Sequence, residues 1–238
     1  MTYRSKQLQR LSNKQIFEDI KKYIKTSHSF YETKVPELTV LAKRLHEEYD
    51  LTRFYKVFNK LWNSGYHEER SLAIHALQLY EEEFDLRTWY FLKPKLKDMK
   101  SWDKIDSVGI EIIGKILLKY PRLEIEIIKM VNSKNKWFIR MGMMSTLPSI
   151  RNGNIKLAMR IAEMHINNKE EHIQKAVGII LYEISRVKPE IAKKFILKNI
   201  HMPMITFNYA TEDLKELKGL RQIKKLQPSL ITKLFDWR

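Results

Sequence analysis

The chain has no cysteine, so neither a disulfide framework nor a thiolate metal site can be built. Glycine and proline number seven each in 238 residues, too few for the many tight turns of an all-β sandwich. No apolar run reaches the roughly 18 residues that a membrane-spanning helix requires. The opening stretch MTYRSKQLQRLSNK is polar and lacks the apolar segment of a secretory leader. Together these absences predict a soluble, cytoplasmic, all-α protein with no membrane contact. Acid is also scarce: 28 Asp and Glu stand against 44 Lys and Arg, a formal charge of +16. Such an excess repels itself in a compact fold unless a polyanion or an anionic surface neutralises part of it. Nucleic acid is the first candidate.

The chain is rich in helical periodicity. Hydrophobic residues make up 44% of it, enough for a packed core rather than a disordered coil. IFEDIKKYI (16–24), VPELTVLAKRLHEEY (35–49) and FYKVFNKLW (54–62) each repeat apolar residues on one helix face, and RMGMMSTLPSI (140–150) and IQKAVGIILYEIS (173–185) continue the helical pattern. The third stops at Asn63-Ser64-Gly65, and Pro121, Asn152-Gly153 and Pro189 punctuate the remainder of the chain. Arg70-Ser-Leu-Ala73, Asp106-Ser-Val-Gly109, Arg140-Met-Gly-Met143 and Lys175-Ala-Val-Gly178 recur at steps of 36, 34 and 35 residues. In this reading each polar residue opens a helix, and the small residue after it lets a neighbouring helix approach closely. Trp62, Trp102 and Trp137 precede three of the four. A period near 35 predicts an α-solenoid of HEAT-like helical repeats with a concave basic face. The expected organisation is one domain, 1–238, with N-terminal helices over 1–50, repeats over about 51–200 and capping helices over 201–238.

Several motifs fail. Gly109-Ile-Glu-Ile-Ile-Gly114-Lys115 imitates a phosphate-binding loop, but position 116 is Ile where magnesium needs a hydroxyl. The seven histidines never fall at a zinc spacing with a carboxylate partner, and neither H-E-x-x-H nor G-x-S-x-G occurs. Glu81-Glu82-Glu83 reads as a solvated charge run. No metal site and no cofactor are expected.

The stretch KSWDKIDSV (100–108) leaves two readings open. Trp102 and Asp106 are four residues apart, hence one turn apart on one face of a helix. The aspartate can cap the helix or complement its dipole while the tryptophan fills core. Alternatively the pair belongs to a working site, with Arg140 in the matching repeat column as a phosphate contact.

The run Ser101-Trp102-Asp103-Lys104-Ile105-Asp106-Ser107 resembles the W-D-x-x-D segment of bacterial alkylpurine DNA glycosylases built from HEAT-like repeats, the AlkD group. Further matches occur in order: Lys22-Tyr23-Ile24-Lys25 with Val35-Pro36-Glu37-Leu38, then Leu61-Trp62 with Glu68-Glu69-Arg70. Asn135-Lys136-Trp137-Phe138-Ile139-Arg140 is similar to the family's N-x-W-x-x-R, and Ile173-Gln174-Lys175-Ala176-Val177-Gly178 to its I-Q-K-A-x-G. The resemblance covers roughly residues 16–215. It implies a monomer that binds double-stranded DNA and excises N3- or N7-alkylated purines without a tight base-flipping pocket. Asp106 would be the catalytic carboxylate, Trp102 would stack beside the damaged nucleotide and Arg140 would hold phosphate. Tyr23, Trp137, Lys175 and position 179 would complete the DNA cleft.

The chain departs from the family pattern in four places. Ile179 stands where the family carries tryptophan, and Glu171-His172 replace an aromatic pair. Thr206-Phe207-Asn208-Tyr209-Ala210 lacks an arginine, and the stretch ahead of Tyr23 is short. Two other readings therefore stand beside the glycosylase: a DNA-binding protein for distorted or branched DNA with weak or no excision, and a scaffold for acidic partners.

Overall fold

The structure is a computed structural model that describes residues 35–97, 99 and 102–226, without the side chains of 35–37, 102, 103 and 226. Tyr23 and the helix expected over 16–24 lie outside the described residues. Helices carry nearly all the described chain, and no strand occurs among the described residues. The fold class is all-α, as expected. The chain divides into two compact units, one ending at Val108 and the other starting at Gly109.

The first unit contains α1 (Val35–Glu48), α2 (Leu51–Trp62), α3 (His67–Gln78), a 3-10 turn (Glu81–Glu83), α4 (Leu86–Leu96) and α5 (Trp102–Val108). α2 starts three residues before the expected position because Asp50 caps it, accepting from the Arg53 amide at 2.9 Å. Asp85 caps α4 the same way through the amides of Arg87 and Thr88. Leu38, Leu41 and Leu45 of α1, Phe54 and Phe58 of α2, and Leu72, Ala76 and Leu77 of α3 are buried against one another. Phe84, Trp89 and Leu92 extend this core under α4.

The second unit begins with a π-helical turn (Gly109–Ile113) that runs into α6 (Gly114–Lys119). After a 3-10 turn at Pro121 come α7 (Glu124–Val131), α8 (Lys136–Met144), α9 (Leu147–Arg151), α10 (Lys156–His165) and α11 (Glu171–Val187). α12 (Pro189–Lys198), α13 (Met204–Ala210), α14 (Lys215–Lys218) and α15 (Leu220–Leu226) complete it. α11 is the hub: α8, α9, α10, α12 and α13 all pack on it. Helix pairs from successive repeats thus stack in chain order, the arrangement that the period near 35 predicts.

Small residues act as the repeat column requires. A Cβ on Gly178 would lie 2.5 Å from Tyr209 Cβ and 3.0 Å from the Thr206 carbonyl oxygen, so α13 crosses α11 at bare backbone. The π turn has a related cause. A Cβ on Gly109 would meet the Met141 carbonyl at 2.9 Å, and one on Gly114 would meet Pro148 Cγ at 2.7 Å. In an α-helix residues five apart point about 140° from each other. An i→i+5 turn returns them to one side, so both glycines face the α8–α9 segment.

Two expectations are corrected. The polar residues of the repeat column do not open their helices: Arg70, Asp106, Arg140 and Lys175 each lie about one turn inside. Helix starts are set upstream, as at Asn135, whose Oδ1 accepts from the amides of Trp137 (3.0 Å) and Phe138 (3.4 Å). The RMGMMSTLPSI segment is also not one helix, because α8 ends at Met144 and α9 restarts at Leu147 with Pro148 in its first turn.

Candidate nucleic-acid interface

Asp106 is the fifth residue of α5, past the position from which an aspartate caps a helix. The capping reading is therefore removed. Asp106 is half-buried, and the residues on either side of it are fastened down. Ser107 Oγ accepts from Gln78 Nε2 at 2.7 Å, tying α5 to α3. Two positions before Asp106, the buried Lys104 places Nζ 2.7 Å from His67 Nδ1 and 2.8 Å from Nε2. His67, Glu68 and Glu69 form the first turn of α3 and are buried there. The Lys104–His67 contact ties α5 to the first turn of α3. Sequence pattern does not reveal the cluster. Its signal is the pair of glutamates ahead of Arg70, which read only as family resemblance. Position 102 is one turn before Asp106 on the same helix, but the Trp102 side chain lies outside the described residues.

In the second unit, α8 and the first two turns of α11 bring Trp137, Arg140 and Lys175 together around His172. Arg140 is 6% exposed and donates from Nη1 to the His172 carbonyl at 2.8 Å. It serves as a strut between two repeats and carries its charge beneath the surface. The Trp137 and His172 rings meet with centroids 4.4 Å apart at 49°, and Lys136 Nζ lies 5.1 Å from the Trp137 centroid. An aromatic surface thus exists at the position where Glu171-His172 interrupt the family pattern.

The cations at this surface are loosely matched by acids. Lys136 Nζ reaches Glu170 at 3.1 Å, and Lys175 Nζ reaches the exposed Glu171 at 2.5 Å. The hydrogen bond and charge of Lys175 hold the Glu171 carboxyl below its ordinary range. His172 is pushed below the usual histidine value, first by burial and then by Lys136, Arg140 and Lys175. Its imidazole is therefore neutral at neutral pH, in a field that favours an anion. Exposed ion pairs contribute only about 0–1 kcal/mol, so a phosphate can exchange for either glutamate at little cost.

Ile179 lies one turn beyond Lys175 and lines a cavity of about 400 Å³ with Tyr182, Glu183, Asn208, Tyr209 and Glu212. Glu171, Lys175, Ile179, Tyr182 and Arg186 recur along α11 at spacings of four, four, three and four, one continuous stripe. No group of metal-ligating side chains occurs among the described residues, and no described helix is long and apolar enough to cross a membrane.

The sequence profile described as "DNA alkylation repair enzyme" matches residues 5–214, most of the chain. The chain belongs to the DNA alkylation repair enzyme family. A solved structure described as a predicted DNA alkylation repair enzyme from Enterococcus faecalis superposes with a TM-score of 0.76 at 18% identity. The match covers 86% of this chain and 97% of that one, and at such identity it bears on the fold alone. Comparison with curated proteins finds no match.

Proposed function

We propose that the protein is a monomeric DNA glycosylase that releases cationic N3- or N7-alkylated purines from double-stranded DNA. The observation that carries this reading is Asp106. It is a half-buried carboxylate on a helix pinned at both flanks by Gln78–Ser107 and Lys104–His67, three residues ahead of a π turn. π turns inside helices are frequent at functional sites. Family membership supports it independently.

The chemistry asks for little more. Alkylation at N3 or N7 makes the purine a cation, so the glycosidic bond already has an activated leaving group and needs no general acid. As the C1′–N bond breaks, the electron pair leaves with the base, which departs neutral, and positive charge develops on the sugar. A carboxylate fixed beside that charge stabilises it and orients the incoming water; the water's proton is then lost to solvent. Glycoside hydrolases use two carboxylates because their leaving group must be protonated. Here Asp106 alone suffices. Lys136 and Lys175, beside the Trp137–His172 surface, would bind the phosphate backbone without reading sequence.

The test is release of 7-methylguanine and 3-methyladenine from methylated duplex DNA. Wild type is expected to release both, and Asp106→Asn to slow release about a hundredfold or more. DNA binding without any release by the wild type would replace the glycosylase with the reading as a binder of distorted DNA, which the Ile179 substitution favours.

A further inference from the structure

The pocket beside Ile179 has a composition that the proposed reaction does not use. Tyr182, Tyr209, Ile179 and Asn208 line it, and the Asn208 amide has both donor and acceptor. Tyr209 is 42% exposed although its Cβ is seated on Gly178, so the ring is held at its root and open at its face. Tyr182 lies near Asp213, whose carboxylate raises its pKa, and the Arg186 guanidinium lies 5.8 Å from its ring centroid. The two carboxylates at the pocket are already engaged. Glu183 takes a bidentate contact from Arg151 at 2.6 and 3.2 Å, and Glu212 takes Arg221 at 2.9 Å. With both lining acids paired to arginine, the pocket suits holding a ligand more than a second reaction centre. Arg186 is exposed beside it, while Arg151, Arg221 and Lys218 pair with the lining glutamates.

A volume of about 400 Å³ lies within the range of small-molecule pockets, roughly 300–1,000 Å³. A flat heterocycle on a charged strand fits these features better than a peptide side chain does. It would lie against tyrosine faces, with an amide at its edge and the Arg186 guanidinium near its phosphate. The pocket is about 15 Å along α11 from His172, at 1.5 Å per residue over ten residues. It lies on the same helix stripe as Lys175, so one strand held at Lys175 can continue to it.

We infer that Tyr182, Tyr209, Ile179 and Asn208 form a subsite for an unpaired nucleobase of bound DNA, separate from the base being released. The inference rests on the DNA-binding part of the proposed function, and it makes the protein a sensor of unpaired or extruded nucleotides as well as of phosphate.

The experiment compares a fully paired duplex with the same duplex carrying one bulged 2-aminopurine, by fluorescence anisotropy for affinity and 2-aminopurine emission for stacking. Wild type is expected to bind the bulged duplex about tenfold more tightly and to quench the probe. Tyr182→Ala and Tyr209→Ala should each lose about tenfold on the bulged duplex and less than twofold on the paired one, as expected for loss of one base-stacking contact. Tyr182→Phe should keep the preference. Equal binding of the two duplexes by wild type, or a preference that survives both alanine variants, would overturn the subsite. Failure to bind either duplex would instead overturn the DNA-binding reading beneath it. Both tyrosines are at the surface and the alanine variants keep Cβ, so a circular dichroism spectrum like wild type is expected of each.

Discussion

In the two compact units, the charged groups flanking Asp106 and those flanking Trp137 lie in opposite settings. In the first, Lys104, His67, Glu68 and Glu69 are buried within and between α3 and α5. In the second, Lys136 and Lys175 are half-buried at an aromatic surface, each facing a glutamate it can exchange. The difference separates two tasks. Burying charged side chains costs desolvation that only a well-fitted geometry offsets, which under the proposed function would fix the helix carrying Asp106. Surface pairs cost little to open, which suits binding a polyanion and letting it go.

Breaking the buried cluster should therefore be expensive. Lys104→Ala is expected to destabilise the protein by about 3–5 kcal/mol, read from urea denaturation midpoints at constant m-value. A loss below about 1 kcal/mol would place this cluster in the same class as the surface pairs and erase the contrast. Next in size is the packing of the second unit. Gly178→Ala forces a methyl against the α13 backbone and should cost about 1–3 kcal/mol, measured in the same titration. An unchanged midpoint would mean that α13 yields freely and that the crossing is loose.

The surface cations should behave in the reverse manner. Lys175→Ala is expected to change stability by less than about 1 kcal/mol. It should weaken binding to all duplex sequences alike and reduce the slope of log affinity against log salt by about one. A sequence-dependent loss would remove Lys175 from the phosphate contacts.

The smallest effect is a pH dependence. His165 is half-buried, its Nε2 is 3.0 Å from the Val131 carbonyl, and burial lowers its pKa. The unfolded chain then takes up the proton first, so the contribution is fully present above the ordinary histidine value of about 6.5 and declines as pH falls through it. The melting temperature should drop modestly over that window in wild type and less in His165→Gln. Identical profiles would show that the proton is bound equally in both states.

The legibility of the fold in the sequence depends on the range of the interactions. Apolar periodicity is a local signal, and it locates α1, α2 and α11 to within a few residues. The repeat near 35 is legible because Gly109 and Gly178 recur where helix backbones come together. Helix phase is not, since the starts are set by upstream residues such as Asn135 and not by the polar column. The π turn is also hidden, because it answers to the α8–α9 segment more than thirty residues away. Asp106 in the first unit, and Trp137, Arg140 and Lys175 in the second, are picked out by motif. The partnership of Trp137 with His172 and that of Tyr182 with Tyr209 at the pocket span 35 and 27 residues, which no local pattern records.

The contrast between a fixed carboxylate and an exchangeable surface is tested most directly by measuring binding and single-turnover base release on the same methylated duplex. The variants are Asp106→Asn and Lys175→Ala. The account predicts a crossed result: Asp106→Asn binds like wild type and releases almost nothing at saturation, while Lys175→Ala binds weakly and releases at the wild-type rate once saturated. If Asp106→Asn releases alkylated bases as fast as wild type, the carboxylate has no part in the chemistry and the account is contradicted.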